Sequence, residues 1–217
     1  MNCCSGGARY IDAERQFGAE VAGRDLARYR RKGPDAASRL LLSSLGDQLR
    51  RGDSLLDIGA GVGILDFELL SIGASAATLV DASPAYLEAA SREAQQRHVA
   101  DRMQFVAGDF TKLAGTIAQA DVVTMHRVVC CYAEYASLLE TAAKHARRLL
   151  AFSFPRNRWD IRGWLAIDNG RRRVLGNGFR VYVHPRAAME RLMLDAGFTR
   201  VARRLTFVWS VDVYQRT

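Results

Sequence analysis

Residues 55–65, Leu55-Leu56-Asp57-Ile58-Gly59-Ala60-Gly61-Val62-Gly63-Ile64-Leu65, form an apolar run that breaks into a turn with glycine at every second position. The pattern reads as a strand feeding a tight turn and then a helix. Gly59 and Gly61 accept φ > 0 and let a ligand approach the backbone, and the free N–H groups of the next helix face that ligand. Spacing then selects among ligands. A dinucleotide fingerprint needs G-x-G-x-x-G, whereas here Gly63 is followed by Ile64, which weakens the nicotinamide and flavin readings and with them an NAD-dependent oxidoreductase. Asp57, at the strand end, suits a cationic ligand group better than a pyrophosphate.

Three more strand ends carry polar groups in order. Residues 76–80 read as a second strand ending in Asp81, 18 residues beyond Gly63. A third, 103–107, is closed by Gly108-Asp109-Phe110, and a fourth, 120–125, ends in His126-Arg127-Val128. Taken singly, Asp57 and Asp109 read equally as helix caps or turn residues. Taken together, the features mark the crevice at the carboxyl ends of strands where open α/β sheets bind ligands.

This series resembles the class I S-adenosylmethionine-dependent methyltransferases. The resemblance implies S-adenosylmethionine as cofactor and S-adenosylhomocysteine as product, with Asp57, Gly59, Ala60, Gly61 and Gly63 forming the first turn of the site. It makes Asp81 the acceptor for the ribose hydroxyls. Asp109 would accept from the adenine amine, with Phe110 or Ala82 against the ring, and His126 and Val128 would line the methionine end. Residues 126–132 and 149–156 further resemble the magnesium-protoporphyrin O-methyltransferase-like branch. That branch includes enzymes that esterify a porphyrin propionate and many bacterial members of unassigned substrate, so its acceptor is not carried over.

The expected fold is α/β: a Rossmann-like, doubly wound, seven-stranded sheet of order 3-2-1-4-5-7-6 with the last strand antiparallel. That order comes from the resemblance. The residues add that strands 200–205 and 207–214 are joined by almost no connection, which demands an antiparallel hairpin. Asp35 and Ser83-Pro84 read as helix starts, further helices are expected over 136–147 and 185–196, and a fifth strand over 149–154. Two regions lie outside this core. Residues 1–34 read as an N-terminal helical cover, with one helix over about 11–31 whose apolar side is Phe17, Val21, Leu26 and Tyr29; residues 35–217 read as the methyltransferase domain. Within the latter, 156–184 is a substrate-covering insertion, too long for a bare connection.

With 217 residues the chain fits one α/β unit, and no apolar run reaches membrane-span length, so a cytoplasmic protein is the expectation. Of the formal net charge of +8, residues 147–217 contribute more than the total, with 15 arginines against 5 acids. A basic surface of this kind suits an anionic small molecule or nucleic acid. Nucleic acid is disfavoured, because no binding module is present and His126-Arg127-Val128-Val129 replaces the acceptor-Pro-Pro-aromatic sequence that nucleobase amino-methylation uses. Cys3-Cys4 and Cys130-Cys131 are adjacent pairs without zinc-ligand spacing, so no metal is expected.

Methyl transfer chiefly needs the nucleophile held against the methyl carbon with water excluded. His126 is the candidate base and Tyr132 a candidate for orienting the acceptor; the plainer reading of His126 is a satisfied histidine packed beneath the cofactor. Arg127, Arg156, Trp159 and His184 are candidate acceptor-binding residues. A carboxylate acceptor needs no base. The expected function is methylation of a small anionic or aromatic molecule, on oxygen before nitrogen or sulfur. The alternative is a non-catalytic cofactor-binding subunit that docks a partner or RNA through its basic C-terminal half.

Overall fold

Alternate side chains of strand β1 (Ser54–Ile58) enter two different cores, Leu55 on one face of the sheet and Leu56 and Ile58 on the other, as a two-residue repeat buried on both sides requires. The computed structural model describes residues 17–217. Around β1 the chain runs α1 (Ala19–Lys32), α2 (Ala36–Gly46), then after β1 α3 (Ile64–Ser71), β2 (Ala76–Asp81), α4 (Pro84–Gln96) and β3 (Met103–Ala107). It continues through α5 (Phe110–Leu113), β4 (Ala120–His126), α6 (Tyr135–His145), β5 (Ala146–Pro155), α7 (Trp159–Val174), α8 (Arg186–Asp195), β6 (Phe198–Leu205) and β7 (Trp209–Arg216).

The sheet order is β3-β2-β1-β4-β5-β7-β6. Strands β1 to β5 pair in parallel, and β7 is antiparallel to both β5 and β6. This is the expected doubly wound arrangement. The chain builds outward from β1 to β3 and returns to β4 on the opposite side of β1, so the connections from β1 and β4 run off in opposite directions and a crevice opens at the carboxyl ends of the strands. Helices α1 to α4 cover one face, and α6 and α8 cover the other.

Helix starts follow local chemistry. The Asp35 carboxylate accepts from the Ala37 and Ser38 N–H groups at the head of α2, and Ser83 caps α4 with Pro84 in its first turn. Helix α1 is held on α3 and α4. Tyr29 donates to Glu68 at 2.7 Å, Arg30 pairs with Glu93, and the Arg97 guanidinium lies 5.0 Å from the Tyr29 ring and 4.8 Å from Phe67.

Some boundaries depart from the sequence reading. Helix α6 stops at His145 because Ala146 already pairs with Ala120 in the sheet. The final hairpin turns at residues 206–208, where the Thr206 N–H donates to the Trp209 carbonyl at 2.8 Å. The segment after β5 holds the 16-residue helix α7. Phe17 precedes α1, which starts after Gly18, while Leu26 and Tyr29 are buried and Val21 packs partly against the core. The Cys3-Cys4 pair and the expected helical start near Ile11 lie outside the described residues. Among the described residues no helix is long and apolar enough to cross a membrane.

Candidate active site

The crevice holds a cavity of about 650 Å³ at the carboxyl ends of β1, β2 and β4, within the range of small-molecule sites. The glycine turn forms its floor. Gly59 sits at φ +70°, and a Cβ there would stand 2.2 Å from Val128 Cγ2, so the turn and the loop after β4 touch through a position only glycine can fill. Gly61, at φ +58°, donates its N–H to Asp81 Oδ2 at 2.8 Å. The other oxygen, Oδ1, accepts from the Ser83 N–H at 2.8 Å. Asp81 is thus locked in orientation at the cavity wall, and its burial raises its pKa.

Asp57 also reaches the cavity but is 1 % exposed. Thr124 Oγ1 donates to its Oδ1 at 2.6 Å. Its second partner, which sequence reasoning missed, is Asp66 on the inner side of α3. Burial raises the pKa of both carboxyls, and the neighbouring Asp57 raises that of Asp66 further, which favours a proton retained by the pair. The only hint in the sequence is a lone acid inside the apolar helix Ile64-Leu65-Asp66-Phe67.

Asp109 caps α5, and its Oδ1 accepts from the Thr111 N–H at 3.0 Å and from the Tyr132 hydroxyl at 3.0 Å. Burial and the neighbouring Asp109 raise the Tyr132 pKa, so this phenol stays protonated. Tyr132 therefore sits with Asp109 rather than with the end of β4. Phe110 is only 1 % exposed and meets His145 edge-on at 5.2 Å, so it borders the cavity mainly from within the core. Ala60, Val62, Ala82 and Val128 line the same wall. Gly63, at φ +78°, is the left-handed residue from which α3 starts.

His126 lines the cavity, but both ring nitrogens are engaged: Nε2 with Ser38 Oγ at 3.1 Å and Nδ1 with Ser153 Oγ at 2.9 Å. Burial, reinforced by the Arg127 charge, holds its pKa down to about 3. The imidazole is neutral and satisfied, which argues against the role of general base. Arg127, at the left-handed φ of 62°, spans the end of β4 to α2: Nη2 donates to Asp35 Oδ2 at 2.6 Å, and the guanidinium lies 5.0 Å from the Trp209 ring. Burial opposes ionisation of Asp35, but the Ser38 N–H and Arg127 outweigh it and bring its pKa to about 2.

Of the four candidate acceptor-binding residues only Arg127 borders the cavity. Arg156 instead donates to the Thr206 carbonyl at 3.1 Å and braces the hairpin. Trp159 lies outside on α7, 87 % exposed. His184 Nε2 bonds the Val129 and Tyr132 carbonyls, which anchors the loop before α8. What covers the cavity is a set the sequence reading did not select. Phe17 stands edge-on to Tyr86 at 5.9 Å and to Phe179 at 5.3 Å, and forms an aromatic roof between α1, α4 and the segment after α7. Arg28 and Arg180 reach the same cavity. Arg28 stands 3.8 Å from Asp35. Among the described residues no group of three or more His, Cys, Asp or Glu side chains could hold a metal ion.

The sheet order and the crevice over the glycine turn are those of the Rossmann-like methyltransferase fold. Residues 55–151 match the family described as a methyltransferase domain. The chain is similar, over 95 residues at 34 % identity, to the erythromycin 3''-O-methyltransferase of Saccharopolyspora erythraea, a match covering 42 % of this chain and 31 % of that protein. Over 67 residues it is 39 % identical to the ribosomal protein L11 methyltransferase of Neisseria meningitidis, covering 31 % of this chain and 23 % of that one. The matches thus span less than a third of either relative's length. In fold it is similar to the magnesium protoporphyrin IX methyltransferase of Synechocystis PCC 6803 solved with bound S-adenosylhomocysteine, with a TM-score of 0.69, 22 % identity, and coverage of 89 % of this chain and 95 % of that one.

The residues present suit the cofactor. Asp57 stands at the head of the glycine turn where an ammonium group needs an anion, and two further acids, Asp81 and Asp109, are fixed along the same wall.

Proposed function

We propose that this chain transfers a methyl group from S-adenosylmethionine to an oxygen of a small, already ionised acceptor, with a carboxylate as first choice and an acidic phenol as second. The observation that carries the acceptor class is the engagement of His126 by Ser38 and Ser153, which removes the one candidate base at the end of β4. A carboxyl group, with an ordinary pKa near ~4, is a nucleophile at neutral pH without proton removal.

When bound, S-adenosylmethionine would supply a methyl carbon activated by a positively charged sulfur, open to in-line attack by an oxygen nucleophile, with the C–S bond pair departing on sulfur as a neutral thioether. The chain's own residues supply binding, orientation and exclusion of water. Asp81 and Asp109 hold the nucleoside, the glycine turn and Asp57 hold the amino-acid end, and Val128 presses against the turn through Gly59. The roof of Phe17, Tyr86 and Phe179 keeps water out and offers aromatic faces to a flat acceptor. Arg28 and Arg180 provide cationic contacts for its anionic group. The name of the Saccharopolyspora relative also specifies methylation on oxygen, which supports the element methylated but not the acceptor. The division into a cover (1–34) and a methyltransferase domain (35–217) fits Phe17 and Arg28 lying on the cavity.

The test is release of S-adenosylhomocysteine on incubation with matched panels of aromatic carboxylates, phenols and amines. Turnover confined to carboxylates and acidic phenols, with Arg28→Ala raising the acceptor KM and leaving cofactor affinity intact, is the expected result. Turnover confined to amines overturns the acceptor class. Cofactor binding without turnover on any panel supports the non-catalytic subunit instead.

A further inference from the structure

The outer face of α7 is strongly exposed and apolar in a helix whose inner face is packed. Trp159 and Val174 are each 87 % exposed and Ile167 is 75 % exposed. Their spacing of eight and seven residues puts them on one stripe of the helix. Trp164 and Leu175 extend it on one side, and Phe207, at the tip of the β6–β7 hairpin, lies beside the helix start, with the Arg158 guanidinium 5.0 Å from its ring. This is a contiguous apolar surface of the kind that marks an interaction site.

The charges around it have one sign. Asp160 and Asp168, the acids of α7, are neutralised by Arg158 at 2.9 Å and Arg172 at 2.7 Å. Arg162, Arg171 and Arg173 are exposed and have no ion-pair partner among the described residues. They flank the apolar stripe on both sides.

We infer that this face docks on the surface of an anionic lipid bilayer. Tryptophan rings settle at the depth of the headgroups, where an apolar body and a polar edge are both satisfied, and arginines reach outward from the same helix to lipid phosphates. A single convex helix presents a ridge, which can sink into a headgroup layer as it stands; a protein partner would need a groove lined with acids to match it. The inner face of α7 meanwhile grips the cavity roof. Asn169 exchanges two hydrogen bonds with the Val181 backbone, at 2.8 and 3.0 Å, and the Arg172 guanidinium lies 5.3 Å from the Phe179 ring. Docking through α7 therefore sets the roof of the cavity against the lipid surface.

The test is flotation of the full chain with phosphatidylcholine vesicles made with and without phosphatidylglycerol, read together with tryptophan emission. Flotation with the anionic vesicles alone, weakened by salt and accompanied by a blue shift, is expected. Replacing Trp159, Ile167 and Val174 together with serine should cut vesicle partitioning at least ~10-fold, as should changing Arg162, Arg171 and Arg173 together to glutamine. Circular dichroism and thermal melting check that each variant folds. If the serine variant does not fold, the glutamine variant, which alters only exposed heads, decides alone. Failure of the parent chain to float with anionic vesicles overturns the inference, as does flotation that the folded variants retain. So does a dimer of the parent chain that the serine variant abolishes, because the face would then be covered by a second copy.

Discussion

Replacing Asp66 with asparagine tests the buried carboxyl pair at the floor of the site. Asp57 and Asp66 are each 1 % exposed and lie close enough to repel as anions, and Asp66 Oδ2 has no partner. Burial first, and for Asp66 the nearby Asp57, raises both pKa values. Unfolded, both acids release their protons near pH ~4. From that pH upward the folded chain binds more protons than the unfolded chain, so stability falls as pH rises until the folded pKa values are passed. The asparagine side chain keeps an N–H donor toward Asp57 and has no proton to lose. Across that window a proton held only by the folded chain costs stability at up to about 1.4 kcal/mol per pH unit, so Asp66→Asn, which has no such proton, should gain on the parent as pH rises toward ~8. The gain should shrink toward zero near pH ~4, where unfolded carboxyls also hold their protons. Urea unfolding across that pH range measures both slopes. Equal slopes for the two chains, or an asparagine variant that loses ground to the parent as pH rises, would refute the shared-proton argument.

Asp81→Ala removes the acceptor fixed by Gly61 and Ser83 and should weaken S-adenosylhomocysteine binding by about 1.5–3 kcal/mol, roughly 10- to 150-fold by calorimetry, with the fold retained. His126→Gln should leave the shape of the rate profile between about pH 5 and 8 unchanged; an inflection near the histidine pKa that the substitution removes would restore the base. The same variant reports on stability: the unfolded histidine takes up a proton below about pH 6.5 that the folded one refuses down to about 3, so the parent loses stability as pH falls through that window and the glutamine variant should not. Gly59→Ala puts a Cβ 2.2 Å from Val128 Cγ2 at a left-handed φ and should cost at least ~1–2 kcal/mol of stability, with cofactor affinity lost as the turn shifts; wild-type melting and binding would show the contact to be yielding.

The local chemistry of this chain was legible without coordinates wherever neighbouring residues decide it. A continuous apolar run marks β1, the φ demands of glycine mark the turn at 59–63, and Asp35 and Ser83 announce α2 and α4 through bonds to N–H groups two or three residues on. The short link between the last two strands permits only a hairpin. These are interactions of short reach, and the order of residues alone specifies them.

The roles of side chains at the site depended on partners far along the chain, which packing alone brings together. His126 reads as a base at the end of a strand until Ser38, 88 residues earlier, and Ser153, 27 residues later, take its two nitrogens. Phe17 and Phe179 become one roof only because α1 is clamped to α3 and α4 while the segment after α7 folds back over the crevice. Arg156, Trp159 and His184 had the right chemistry in the right segment, yet the Thr206 carbonyl takes Arg156, the Val129 and Tyr132 carbonyls take His184, and Trp159 stands exposed on α7. Sequence determined where a cofactor can sit, because a glycine turn and acids at strand ends are local features read in order. Tertiary structure decided which groups remain available to an acceptor, because a buried polar group is committed to whatever partner the packing supplies.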